Sequence, residues 1–291
     1  MRLVSLTKPA AVVMAGGVGL AGVAAPGDLP RAFVAPHDAP AAVVWAVGDG
    51  ANGSRRAVAL ARRIERDRPD RLLYLGDVYQ SGTRREFDRN YDGVYGRLAA
   101  ITAPTPGNHE WCNREQGYTA YWLSRRGVRP PPWYATRIAG WQVLSLNSEH
   151  DIGRDGRQWR WLRARMRERR FGTCRLAFFH RPRYSTGRHG NQVDLSALWR
   201  QLESGAALVV NGHDHSLQRH RPVRGTTAFV SGAGGHGLYS VTLDHARVAW
   251  ASGRDYGALR LELRRTGARW RFVRDDGRVL DAGRLPCRRP E

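Results

Sequence analysis

Four apolar runs in this sequence end the same way, in a glycine followed at once by Asp, Asn or His. They are AAVVWAVGDG (41–50), RLLYLGD (71–77), AAITAPTPGNH (99–109) and AALVVNGHDH (206–215). CRLAFFH (174–180) runs straight into its histidine, and WQVLSLNSE (141–149) is a further run of this kind. Short apolar runs closed by turn residues read as buried strands. Between them lie segments of helical period. SRRAVALARRIERD (54–67) has Val58 and Ile64 among its apolar positions, RQWRWLRARMRER (157–169) is striped by Trp159, Leu162 and Met166, and VDLSALWRQLESG (193–205) is the third. Strands alternating with helices argue for an α/β architecture. From about residue 225 short alternating strands take over, ALRLELR (258–264) and a hairpin over 269–283 about Asp276-Gly277, which adds a second sheet rather than a second domain.

In open α/β folds ligands bind at the carboxyl ends of the strands, where residues distant in sequence meet. Asp49, Asp77, Asn108, His109, His180, His213 and His215 all stand at such ends. Each has a bland reading alone: Asp49 as a turn residue, Asp77 as a helix cap, Gly-Asn-His as a left-handed turn, His180 as a satisfied core histidine. The whole series in this order is hard to explain as turns. Carboxylates, imidazoles and an amide oxygen without thiolates suit divalent or trivalent first-row metals. A shared carboxylate would hold two cations roughly 3.5–4 Å apart, the spacing of two-metal hydrolysis. On an extended strand His213 and His215 would share one face and Asp214 the other. The glycines at 48, 76, 107 and 212 remove a Cβ where backbone approaches the site.

The ordered set GDG, GDVY, GNHE, FFH and GHDH resembles the calcineurin-like metallophosphoesterases, and within them the purple acid phosphatase branch, over residues 42–236. The resemblance implies a two-sheet β-sandwich flanked by helices, with a dimetal site at the strand ends. It implies that Asp49 and His215 bind the first metal, that Asp77 bridges, and that Asn108, His180 and His213 complete the second. The metals would be iron, zinc or manganese. His109 would face the substrate and protonate the leaving oxygen, and a metal-bridging hydroxide would attack phosphorus. Two positions depart from the pattern. Ala51 stands where many members carry a histidine, and the tyrosine of the purple branch comes one residue early, as Tyr79, with Gln80 at the expected offset. On a strand that shift turns the side chain to the other face; a loop undoes it. The loop RPRYSTGRHGNQ (181–192) is a substrate rim, with Arg183 and His189 as substrate-binding candidates beside Arg181 and Arg188, and a solvated charged loop as the alternative. His220 and His236 read as peripheral.

The expected activity is phosphate-ester hydrolysis, foremost of small-molecule phosphomonoesters. A phosphodiesterase acting on nucleotides or phospholipid head groups is the rival enzyme. A catalytically weak, Arg-rich extracellular binding protein is the rival from another class. The formal charge of +21 invites nucleic acid, but 46 of the 47 basic residues are arginine, spread along the chain as a GC-rich coding bias would spread them. No dedicated nucleic-acid partner follows. Arg2 and Lys8 before AAVVMAGGVGLAGVAA (10–25) give the layout of a secretory signal peptide, with an uncleaved membrane anchor as the alternative. The chain then divides into that segment (1–25), a Pro- and Ala-rich linker (26–40) and one domain (41–287), secreted or at the cell surface. Three cysteines permit one disulfide: Cys174 with Cys287 would tie the tail to the core and leave Cys112 free, and three reduced thiols are the alternative.

Overall fold

The computed structural model describes residues 32–203, 205–243 and 246–287; the signal-peptide or anchor reading of 1–25 lies outside them. The apolar runs become strands that stop just short of their glycines. In chain order the strands are β1 (Ala41–Val47), β2 (Arg71–Tyr74), β3 (Thr102–Pro104), β4 (Tyr134–Ile138), β5 (Trp141–Ser145), β6 (Arg175–Phe179), β7 (Leu208–Asn211), β8 (Leu217–His220), β9 (Thr227–Ser231), β10 (Val248–Ser252), β11 (Gly257–Arg264), β12 (Gly267–Arg274) and β13 (Val279–Pro286). They form a six-stranded sheet, β13-β12-β11-β1-β2-β3, and a seven-stranded sheet, β10-β8-β9-β7-β6-β5-β4. β1, β2 and β3 are mutually parallel, as are β5, β6, β7 and β9. The late alternating segments do form a hairpin, β12 with β13, on the same sheet as β1.

Side-chain alternation explains why two sheets and flanking helices form together. Leu176, Phe178, Leu208 and Val210 belong to the core between the sheets, with Val44, Leu73 and Leu261 from the first sheet. Their neighbours Ala177, Phe179 and Val209 point the other way, into a second core with Leu162, Leu198 and Leu202 of the helices Arg157–Met166 and Ser196–Leu202. Period-two strands buried on both faces read as continuous apolar runs. The helix Arg55–Asp67 starts where Ser54 accepts the Ala57 amide at 3.2 Å and buries Ala57, Leu60, Ala61 and Ile64, one face at helical spacing.

Three expectations are corrected. The 99–109 run is a strand only over Thr102–Pro104; Gly96–Ile101 is 3-10 helical, its end fixed by the Thr102 hydroxyl donating to Leu98 O at 2.9 Å. The described part of the 26–40 segment packs on the domain: Phe33 and Val34 are buried, Phe33 sits edge-on to Tyr134, and His37 bridges to Ile138. Strand β7 ends at Asn211, so His213 and His215 lie in the turn beyond it rather than on a strand face. Cys174 and Cys287 form a disulfide across 113 residues and Cys112 is free. Closing a loop of that length removes unfolded-state entropy worth about 4–5 kcal/mol in the chain-entropy account.

Candidate metal centre

The parallel strands of both sheets point their carboxyl ends toward one place. The loops after β1, β2, β3, β6 and β7 therefore converge. In three of them a glycine precedes a residue with left-handed backbone: Asp49 (φ 60°), Asp77 (φ 66°) and His213 (φ 70°). Asp, Asn and His tolerate that region better than most residues. Three of the eight non-glycine residues with left-handed backbone among the described residues thus stand at this one site. Gly212 is required there, since a Cβ would stand 2.7 Å from Asp49 Oδ2.

All six expected ligands come together in two groups. In the first, His180 Nε2 lies 2.9 Å from Asn108 Oδ1, 3.1 Å from His213 Nδ1 and 3.3 Å from Asp77 Oδ1. In the second, His215 Nε2 lies 3.6 Å from Asp49 Oδ1. Tyr79 joins that second group: its hydroxyl is 3.0 Å from Asp49 Oδ1, 3.2 Å from Asp77 Oδ2 and 2.9 Å from His215 Nε2. Tyr79 follows Asp77 in a turn, and the strand-face argument against it does not apply. Ala51 is buried nearby, with its amide on the Tyr74 hydroxyl. Two second partners orient the imidazoles. Leu75 O lies 2.8 Å from His180 Nδ1 and Gly237 O lies 2.7 Å from His215 Nδ1, which leaves each Nε2 facing the cluster.

The electrostatics ask for a cation. Asp49 and Asp77 are fully buried, and among the described residues only histidines pair with them. Buried carboxylates need positive charge. Burial, with Asp77 adding and His180 opposing, raises Asp49 well above the carboxylate range. Burial also pushes Asp77 up, but the charge and hydrogen bond of His180 outweigh it and hold Asp77 below that range. His180 is lowered by burial and lifted further by Asp77, to about 10. Burial, then His180 and His189, drive His213 down to about 2, and burial takes His215 to about 4. Carboxylate and amide oxygens with imidazole nitrogens fit first-row divalent or trivalent ions. Asp49, Asp77 and His180 offer donor atoms all within 4.8 Å of one another.

His109 stands at the rim. Its amide donates to Asp77 Oδ1 at 3.1 Å, Nδ1 meets Gln80 O at 2.5 Å, and Nε2 lies 3.8 Å from Asp77 Oδ2 with the side chain 31% exposed. His189 packs its ring 4.2 Å from that of His213, at the mouth of the cluster. Arg183 is not brought there. It lies over the Tyr184 ring and donates to Ser196 Oγ at 2.9 Å, because the loop turns it toward the helix Ser196–Leu202. Arg181 is held by Glu149 and Asp194. His236 is closer than expected, stacked on Tyr79 at 4.1 Å, with its amide on Asp49 O.

Two residues have tasks that the sequence does not announce. Glu110 is buried and its carboxylate accepts the amides of Asp77, Val78 and Gly107, joining two ligand loops. Burial and the Asp77 charge raise it to about 7. Asp214 does point away from the cluster, and it has a task there. It accepts from the Ser185 hydroxyl and from the His189 amide at 3.0 Å, pinning the rim loop. Glu110 sits in GNHE and Asp214 in GHDH, so the motifs marked both positions without revealing their partners.

A family model for calcineurin-like phosphoesterases matches residues 42–217. No curated protein matches the chain significantly by sequence. Among solved structures the fold is similar to GAP50, described as the anchor in the inner membrane complex of Plasmodium, with TM-score 0.72 and 14% identity over 86% of this chain and 90% of that one. It is similar to purple acid phosphatase PPD1 from seeds of yellow lupin, Lupinus luteus, with TM-score 0.73 and 16% identity, over 86% of this chain and 55% of the lupin chain. PhoD is more distant, with TM-score 0.56 and 11% identity over 87% of this chain and 70% of that one. At such identities the likeness is one of fold.

Proposed function

The chain belongs to the calcineurin-like phosphoesterase family, and from that premise we propose that it is a dimetal hydrolase of phosphate esters, acting foremost on monoesters. The observation that carries this reading is the convergence of Asp49, Asp77, Asn108, His180, His213 and His215 from five loops, with His109 beside them. A scaffold with no chemistry to perform has no need to bury two carboxylates beside three imidazoles in strained backbone. Asp49, His215 and Tyr79 would hold one cation, Asn108, His180 and His213 the other, and Asp77 both. When bound, the cations supply positive charge toward the phosphoryl oxygens and acidify water.

The protein's own groups do the rest. In the hydrolysis a water oxygen bonds to phosphorus, the P–O bond to the organic group breaks, and the leaving oxygen takes up a proton. His109 would give that proton. Its Nδ1–H is engaged by Gln80 O, which turns Nε2 toward the cluster and the solvent. His189 closes the other side of the mouth, held by Asp214. The Cys174–Cys287 disulfide supports an oxidising compartment, in keeping with the exported reading of the N-terminus. Among the described residues no helix is long and apolar enough to cross a membrane.

A panel of mono- and diesters, assayed on metal-loaded protein, tests the substrate class. Turnover of monoesters above diesters is expected, the reverse order assigns a phosphodiesterase, and turnover of neither leaves the binding-protein reading that the GAP50-like fold allows.

A further inference from the structure

Beside the metal centre lies a cavity of about 250 Å³ that the chemistry above does not use, lined by Pro106, Trp111, Arg114, Pro130, Asn147 and His150 among others. An apolar cavity of about 150 Å³ is enough for benzene. One part of its wall is aromatic: the Trp111 and His150 rings stack with centroids 5.6 Å apart and an interplanar angle of 28°. The Arg114 guanidinium lies 4.8 Å over the Trp111 ring. Arg114 and Arg129 share the single carboxylate of Glu115, so one positive charge remains unanswered at this edge of the cavity.

The wall is built rather than incidental. Gln158 is buried in the helix Arg157–Met166 and clamps the segment that carries Asn147 and His150. It accepts the Asn147 amide at 2.7 Å and donates to Asn147 O at 2.8 Å and His150 O at 3.0 Å. The Asn147 side chain gives its oxygen to the Glu149 amide, while its buried Nδ2 has no partner. A buried donor left unpaired is costly and asks for an acceptor.

The cavity's position ties it to the metal centre. Asn108 and Trp111 are the first and last residues of one short helix and stand three apart, so they share a helix face. Asn108 meets His180 on that face. At about 1.5 Å rise per residue the two Cα positions are separated by about 4.5 Å along the helix axis. One small molecule at the centre could therefore touch both residues.

Resting on the phosphoesterase reading, we propose that this cavity receives a flat aromatic ring of the substrate's organic group, with Trp111 and His150 as the stacking wall. The ring is an aryl group bonded directly to the ester oxygen or a nucleobase one sugar away, and the direct aryl ester fits the short reach better.

Two experiments on the full chain test it. Metal-free protein is titrated calorimetrically with 1-naphthol and with adenosine, and metal-loaded protein is assayed with 1-naphthyl phosphate, adenosine monophosphate and glycerol 2-phosphate. Trp111→Leu, and His150→Ala at the exposed half of the wall, are carried through both. Binding of 1-naphthol is expected, weakened about 10-fold by either substitution, as loss of one aromatic stacking partner does. The ratio of kcat/KM for naphthyl over glycerol phosphate is expected to fall by a similar factor. Adenosine binding with a matching fall in the adenosine monophosphate ratio supports the nucleobase form instead. If neither compound binds, or the ratios stay unchanged in both variants, the proposal is wrong. If no ester is hydrolysed at all, the phosphoesterase reading falls, and the cavity's role toward substrate falls with it even where 1-naphthol binds.

Discussion

The hydroxyl of Tyr79 lies 2.9 Å from Nε2 of His215, and both meet Oδ1 of Asp49. Tyr79 thus fills the place beside His215 that Ala51 leaves empty of a donor. Burial, then the charges of Asp49 and Asp77, raise its pKa well above the ordinary 10, so it remains a phenol until a strongly charged cation displaces the proton. Protein loaded with ferric iron is expected to absorb visible light through tyrosinate ligation, and Tyr79→Phe to lose that absorption while still binding metal through Asn108, His180 and His213. A coloured Tyr79→Phe protein would remove Tyr79 from the ligand set.

His109→Ala separates proton transfer from metal binding. The ring touches Gln80 O and approaches Asp77, and all six candidate ligands remain without it. Positioned acids contribute about 10²–10⁴-fold. Turnover of an alkyl phosphate is expected to drop by that order, with metal content unchanged by elemental analysis. Loss of metal together with activity would show that His109 shapes the site rather than serving the leaving group.

Asp214 anchors the rim. Replacing it with Ala leaves the buried Ser185 hydroxyl and the His189 amide without their acceptor. An unmet buried donor, as the Ser185 hydroxyl would be, costs about 1–3 kcal/mol. The variant is expected to unfold at lower denaturant and to be cut by protease within 185–190 before the parent is. Equal stability with an equally resistant loop would deny the anchor.

What could be read in the sequence was the set of strand ends, because a short apolar run closed by Gly and a polar residue is a local signal. His213 and His215 meet the site through a turn with left-handed backbone at His213, not through strand alternation. Tyr79 escapes the one-residue offset for the same reason. Nothing local distinguishes a rim arginine facing phosphate from one packed on a neighbouring ring, as Arg183 is on Tyr184. Glu110, Asp214 and Gln158 work through partners set by the folded chain, at separations of up to 33 residues. Spacing alone does not announce such pairs.

The histidines make metal-free stability depend on pH. His215 is depressed to about 4 by burial, so the unfolded chain takes up its proton first as pH falls below the ordinary 6.5, and stability is lost from there down to about 4. Glu110 works oppositely, since its raised value of about 7 gives stability that is full below 4.5 and lost as pH rises to 7. Comparison with a variant isolates the histidine. Between pH 6.5 and 4 the stability of chelated His215→Gln is expected to gain on the parent by about 1.4 kcal/mol per unit. A gap that stays constant across that range would mean that His215 is not held neutral by the fold.

The central claim, a hydrolase built on two cations, is tested most directly by counting metal against turnover in one preparation. Purified protein is chelated, assayed with a phosphate monoester, then titrated with iron, zinc or manganese while bound metal and rate are followed together. Hydrolysis is expected to vanish on chelation and to return in full as content approaches two ions per chain, with His213→Ala unable to reach that content. Undiminished hydrolysis by metal-free protein, or a folded chain that takes up no metal and hydrolyses nothing, would contradict the account.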